Sequence, residues 1–184
     1  MKTPKKGNLL IAEPSIIGDM SFNRAVILLA DHNQLGSVGF ILNKKLDYNL
    51  KDLIKGTQSD FPIYNGGPVE QDNLYFIHKT PELIPNSIEI SQGVFWGGDF
   101  STVLDLINSN KITSEDIKFF LGYSGWDENQ LAIELKSQSW LVSNNTYSIK
   151  IISKSGSEFW KEKMLEHGDT YSIWSNAPEN PNYN

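Results

Sequence analysis

Phe119-Phe120-Leu121-Gly122-Tyr123-Ser124-Gly125-Trp126-Asp127-Glu128-Asn129-Gln130-Leu131-Ala132-Ile133-Glu134-Leu135 is the stretch around which the chain is organised. The apolar run at its start has the character of a strand. Glycines bracket Tyr123 and Ser124, and Trp126 follows, which predicts a turn at 122–126. Leu131 and Leu135 then predict an amphipathic helix. Trp126, Gln130 and Glu134 are four residues apart and share a face if helical geometry reaches back to Trp126. Asp127 and Glu128 fall in the first turn, where carboxylates favour the positive end of the helix dipole. The expected strand–turn–helix forms one wall of a site. Its Trp–Gln–Glu strip either lines a polar cleft or flanks a Trp packed in the core.

Upstream, Asn8 to Ala12 reads as a short strand that Glu13-Pro14 breaks. Ser15 to Arg24 is an expected loop, with Ile16, Ile17, Met20 and Phe22 as core anchors. Ala25 to Ala30 and Ser37 to Asn43 are apolar runs joined by turn residues, so an antiparallel hairpin is predicted. Asp47 or Asn49 caps a short helix near Leu50 to Ile54. Gly66-Gly67-Pro68 and Gly97-Gly98 read as tight turns. Ser101 is expected to cap a helix to Ser109, and Thr113 with Asp116 resembles a capping arrangement for one more turn. Downstream, the alternation of Tyr147, Ile149 and Ile151 predicts a half-buried strand. Ser157 caps a last helix that Gly168 ends. Strands and helices mix without regular βαβ alternation, which indicates an α+β fold with a mixed or mainly antiparallel sheet. One domain over 1–184 is expected, with 1–6 and 176–184 as disordered tails.

A chain of 184 residues can bury one sizeable core. Its net charge of −6 argues against nonspecific contact with nucleic acid, which needs a basic footprint. Lys2, Lys5, Lys6 and the pair Lys44-Lys45 read as solvated surface lysines. The absence of cysteine removes disulfide, thiolate and cysteine–zinc chemistry. No apolar segment approaches bilayer length and no signal peptide is visible, so a cytoplasmic protein that does not enter the membrane is expected.

No catalytic signature assembles. Gly122-Tyr123-Ser124-Gly125-Trp126 departs from the nucleophile elbow G-x-S-x-G at its last position. A hydrolase would have to recruit His32 with Glu134 or Ser124. The histidines His32, His78 and His167 have no partner at metal-ligand spacing, and no phosphate-cradling glycine motif occurs, so neither metal nor cofactor is expected. Arg24 and Asn43 stand where loop meets strand, positions that can gather around a pocket.

Taken together, Gly122 to Trp126 with Gln130-Leu131 and Glu134, Gly66-Gly67-Pro68-Val69, Gly7 to Pro14, Phe22-Asn23-Arg24-Ala25-Val26 and Asp31-His32…Gly36 to Asn43 resemble the YqgE/AlgH family of bacterial proteins. Trp140, Trp160 and Gly168 also fall where that pattern expects them, and the resemblance spans Gly7 to Trp174. It implies an α+β fold in which a branched sheet curls into a pseudo-barrel flanked by helices. It implies a shared surface pocket gathering Arg24, His32, Asn43, Gly66, Gly67, Tyr123, Trp126, Gln130 and Glu134. Some members are labelled transcriptional regulators without a recognisable DNA-binding motif. Two positions depart from the family pattern: Ser124 stands where Ala is common, and Asp127-Glu128-Asn129 replaces a Gly-Pro-Gly-like turn. The expected function is a binding or regulatory module for a small polar ligand or partner segment. The alternatives are a transcriptional regulator acting indirectly or on DNA, and a hydrolase.

Overall fold

The computed structural model describes residues 3–14, 20–168 and 171–175. The expectations for Ile16 and Ile17 and for the tail from 176 lie outside the described residues. Among the described residues, ten strands form one branched, mostly antiparallel sheet. In chain order they are β1 Leu9–Ala12, β2 Val26–Asn33, β3 Gly36–Ile41, β4 Lys45–Asn49, β5 Pro62–Asn65, β6 Val69–His78, β7 Ile88–Ser91, β8 Val94–Trp96, β9 Ile117–Asp127 and β10 Trp140–Ser143. The helices are α1 Leu50–Leu53, α2 Phe100–Asn108, α3 Gln130–Lys136, α4 Ser157–Leu165 and α5 Ser172–Ser175, with a 3₁₀ turn at Ser148–Ser153. None of the described helices is long and apolar enough to cross a membrane.

β9 is the trunk. Its first half pairs with β6 on one edge and lies parallel to β5 on the other, with Ile63 opposite Phe119 and Asn65 opposite Leu121. Its second half changes partner and runs antiparallel to β3, with Ser37 opposite Trp126 and Gly39 opposite Ser124. The exchange happens at Gly122, whose φ is +69°. The turn expected at 122–126 is therefore a strand that bends without ending, and the chain turns only at Glu128-Asn129. A left-handed glycine inside a strand has the same local signature as a glycine turn; the flanking ladders hold the residue extended.

Gly66 and Gly67 fill the fork between β3, β5 and β9. Gly66 donates its N–H to Leu121 O at 2.8 Å and accepts from Ile41 N at 3.0 Å. A Cβ on Gly66 would lie 2.1 Å from Gly122 O, and one on Gly67 2.3 Å from the Tyr123 carbonyl. The glycine pair read as a tight turn is thus the point where three strands meet without room for a side chain.

Because side chains alternate along a strand, the sheet has two buried faces. Leu9, Ile11, Val26, Leu28, Phe40 and Phe120 point to a central core that α4 closes with Phe159, Trp160 and Met164. The opposite face of β1–β3 carries Leu10, Ile27, Leu29 and Ile41, covered by Leu131 and Leu135 of α3 and by Trp126 and Trp140. The opposite face of β5, β6 and β9 carries Ile63, Phe76 and Phe119 under Val103, Leu106 and Ile107 of α2. Cover on both faces explains the continuous apolar runs. The sheet curls far enough that Ser91, at the end of β7, lies against Gly7 beside β1, yet its outermost strands, β7 and β10, stay unpaired with one another.

Two local expectations are corrected and one is met. Asp99, not Ser101, caps α2, accepting from Thr102 N at 3.0 Å. The one turn expected after Thr113 is present, with Asp116 Oδ2 accepting from Thr113 N at 2.8 Å, and it leads into β9. The expected strand at 147–151 is the 3₁₀ turn, in which Ile151 and Ile152 are both buried and Ile149 is exposed. Adjacent buried residues do not fit a two-residue period.

Candidate functional site

Trp126 is the last buried residue of β9, 5 % exposed, and it sits in the core under α3. Its ring lies 6.4 Å from Phe22 and 5.9 Å from Trp140, and Phe22 meets Trp140 edge-on at 5.3 Å. Two indole N–H groups are thereby brought into an apolar layer, and both are satisfied by one carboxylate. Trp126 Nε1 donates to Glu134 Oε2 at 2.8 Å and Trp140 Nε1 to the same oxygen at 2.7 Å. Gln130 Nε2 donates to Glu134 Oε1 at 2.9 Å. Gln130 Oε1 in turn accepts Asp127 N at 3.0 Å, tying the start of α3 to the end of β9. The spacing Trp126–Gln130–Glu134 does bring these side chains together, through hydrogen bonds across a strand–helix junction.

Asn129 makes that junction possible. It precedes α3 with a φ of +63°, a conformation that Asn tolerates better than most residues after glycine. It occupies the stretch where the family resemblance expects a glycine-rich turn, and it takes the left-handed conformation that glycine adopts freely. Ser124, the other departure, is fully buried and donates its hydroxyl to Gly66 O at 3.0 Å. It lies within a strand with its side chain committed to the fork, so no nucleophile elbow exists there.

Beside this junction is a cavity of about 470 Å³. Tyr123, Trp126, Asp127 and Gln130 line one side, while Asp31, Asn33, Leu35 and Ser37 line the other. The strand register places His32, Ser37 and Trp126 in one row across β2, β3 and β9. His32 Nδ1 bonds Ser37 Oγ at 2.7 Å, and so supports the lining from behind. Glu134 plays the same part behind Trp126 and Gln130.

The remaining expected residues lie elsewhere. Arg24 and Asn43 line a second cavity, of about 360 Å³, with Lys44 and Lys45. Gly66 and Gly67 are buried in the fork. Nine residues expected around one pocket are thus divided between two cavities and the framework that separates them. Asp31, Asn33, Ser37 and Asp127 join the first cavity because of register, which turn length and hairpin pairing determine and residue type does not. Lys44 and Lys45, read as solvated, line the second.

Among the described residues no group of three or more His, Asp or Glu is placed to hold a metal. His78 is fully buried and structural. Its Nδ1 accepts Thr80 N at 3.2 Å and its Nε2 lies 3.2 Å from Gly97 O, so the proton sits on Nε2. Burial lowers its pKa from the ordinary value. Another, small cavity, of about 110 Å³, is lined by Lys118, Tyr64, Glu115 and Ser153. Lys118 is 4 % exposed, donates to Lys154 O at 2.6 Å and stands 3.9 Å over the Tyr64 ring. Burial brings its pKa down to about 7. No sequence signal marked this lysine, because it alternates with apolar neighbours as a solvent-facing residue would.

Comparison with known proteins is consistent across the chain's length. The family model described as AlgH-like matches residues 9–172. The UPF0301 protein of Bacteroides thetaiotaomicron is 39% identical over 185 residues, covering 98% of this chain and 92% of that protein. The UPF0301 protein of Chlorobium limicola is 38% identical over 181 residues, covering 98% and 96%. The solution structure of the AlgH protein from Pseudomonas aeruginosa superposes with a TM-score of 0.74 at 25% identity, covering 97% of this chain and 98% of that one. A crystal structure of a protein from Corynebacterium diphtheriae shares the fold, with a TM-score of 0.77 at 21% identity over 96% and 94% of the two chains.

Proposed function

The chain belongs to the AlgH-like family, and from that premise and the cavity beside Trp126 we propose that it is a cytoplasmic, non-enzymatic binding module whose effect is regulatory. The observation that carries this reading is the pre-built wall at Trp126–Gln130–Glu134. A carboxylate holding two indoles and an amide fixes Trp126 and Gln130 before any ligand arrives, which lowers the ordering cost of binding. The volume of about 470 Å³ falls in the range of small-molecule sites. Its lining offers the carboxylates of Asp31 and Asp127, the amides of Asn33 and Gln130, the Ser37 hydroxyl and the Tyr123 ring, with no Lys or Arg. That set suits a small polar ligand, or a short partner segment, rich in hydrogen-bond donors. It does not suit a phosphate backbone, so a transcriptional effect would pass through a bound partner at this face.

The test is a thermal-shift screen of amines, amino acids and polar metabolites, followed by calorimetry on any hit. A true ligand at a hundred times its dissociation constant adds about 2.7 kcal/mol of stability. Tyr123→Leu and Gln130→Ala are expected to abolish that shift, and Gln130→Ala also to lower the unliganded melting point, because it removes the bonds to Asp127 N and Glu134. A broad screen without a hit, together with a pull-down without a partner, counts decisively against the proposal.

A further inference from the structure

Lys118 stands on β9 between Ile117 and Phe119 and is buried like them. An ammonium carries three N–H donors and, once buried, needs acceptors or a counter-ion for its charge. This site supplies one acceptor, Lys154 O at 2.6 Å, and the face of the Tyr64 ring at 3.9 Å. The charged groups on the neighbouring elements are turned to other partners. Glu115 Oε2 accepts from Ser153 Oγ at 2.7 Å, Asp116 pairs with Lys79 at 3.2 Å, and Lys154 Nζ pairs with Glu162 at 3.0 Å. A buried amine with one acceptor and no counter-ion among the described residues favours its neutral form. Its pKa of about 7 follows from that burial.

A neutral amine keeps a lone pair, and the cavity beside it decides what can meet that pair. Tyr64, which carries the ring under Nζ, and Ser153, which precedes the accepting carbonyl, line the same small cavity as Lys118. Its volume of about 110 Å³ admits a molecule of a few heavy atoms and turns away bulky electrophiles. Ile117 and Ile152 add apolar walls, so a charged reagent would have to shed its water to enter. Carbon dioxide is small, uncharged and electrophilic at carbon. A short aldehyde would also fit, but its imine has no N–H and would leave Lys154 O without its donor. A carbamate nitrogen keeps one N–H, which matches the one acceptor the site provides.

We propose that Lys118 is a reversible carbamylation site, whose ε-amine takes up dissolved carbon dioxide through this cavity. The Nζ lone pair adds to the carbon, an N–C bond forms as one C–O π bond breaks, and the electron pair goes to that oxygen. One amine proton passes to water; nothing is oxidised or reduced. The second N–H stays on nitrogen and continues to donate to Lys154 O, while the new carboxylate enters the cavity, where the hydroxyls of Ser114 and Ser153 are the donors. The site is separate from the cavity beside Trp126 and does not depend on what that cavity takes.

The full chain is incubated with carbon-13 bicarbonate and followed by carbon NMR. Triethyloxonium then converts any carbamate to a stable ethyl ester, and peptide mass spectrometry locates it, which separates Lys118 from an α-amine. A label at Lys118 is expected at about pH 8, well above the level at the exposed Lys111 and Lys136. At fixed dissolved carbon dioxide its yield is expected to fall by at least about tenfold at pH 6, because protonation removes the nucleophile. Lys118→Met is expected to lose the corresponding resonance. Ser153→Leu, at an exposed position, puts a bulky side chain into the cavity wall and leaves the amine in place; a loss of about tenfold in yield at Lys118 is expected there. If Lys118→Met fails to fold, the peptide map of the parent chain and Ser153→Leu decide. Absence of a label at Lys118 at pH 8 overturns the proposal, as does a level no higher than at Lys111 and Lys136. An undiminished yield in Ser153→Leu equally overturns it, because the gas would then reach the amine by another route.

Discussion

Glu134 decides whether Trp126 and Trp140 can be buried. Truncation to Ala leaves two indole N–H groups in an apolar layer without an acceptor, and an unsatisfied buried donor costs about 1–3 kcal/mol. Glu134→Ala is therefore expected to lose about 2–4 kcal/mol in urea unfolding, and Glu134→Gln, which keeps an acceptor oxygen, about 1 kcal/mol. Equal losses in the two variants would show that the side chain serves by packing alone. Lys118 makes a prediction of a different kind. Its folded pKa lies near 7, against the ordinary 10.5. Between about pH 7 and pH 10 the unfolded chain holds a proton that the folded chain has released, so stability rises with pH across that window, by at most about 1.4 kcal/mol per unit. Below pH 7 both states hold it, and the cost of burying the charge is present in full. Lys118→Met is expected to be more stable than the parent at pH 6, with the advantage shrinking by pH 9 in paired denaturation curves. Parallel curves would mean that Lys154 O and the Tyr64 ring keep the ammonium charged. Spacing in the sequence was enough to group Trp126, Gln130 and Glu134. It was silent on Lys118, whose character comes from the 3₁₀ turn packed over it.

At the scale of elements, β9 and its glycines carry the fold. Gly66→Ala sets a methyl 2.1 Å from the Gly122 carbonyl, where backbone must move. Gly125→Ala, within β9 itself, meets only the Tyr123 ring at 3.1 Å and Val69 at 3.6 Å, and its φ is not left-handed. The first substitution is expected to cost more than about 3 kcal/mol or to prevent folding, and the second to stay within about 1 kcal/mol. Thermal melts of the two variants side by side make the comparison. The hairpin β2–β3, the strand before Gly122 and the helix from Gln130 were legible, because runs and periodicities are local. The bend at Gly122 and the 3₁₀ turn at Ser148–Ser153 were not. In both, distant partners decide between conformations that the local sequence allows equally: β3, β5 and β6 for the bend, and the central core for the turn.

At the scale of the whole molecule, three apolar layers share one sheet, and β9 contributes to all of them. No layer can be lost without unpairing the trunk, so unfolding is expected to be a single transition. Tryptophan fluorescence, which reports Trp126, Trp140 and Trp160, and far-ultraviolet circular dichroism should give superimposable urea curves; separated midpoints would mean that the layers melt independently. The α+β class was readable from the order of strands and helices. The branching was implied only by family resemblance, because nothing in residues 117–127 announces that one strand has three neighbours. The position of that strand along the chain also matters while the protein is being made. β3, β5 and β6 leave the ribosome well before the strand that joins them, and at about 5–20 residues per second the wait lasts on the order of ten seconds. Throughout it, their inner edges stay open to one another and to other nascent chains. A fragment ending at residue 116 should accumulate as insoluble material where the full chain is soluble, which makes this fold one that is completed late in synthesis and all at once.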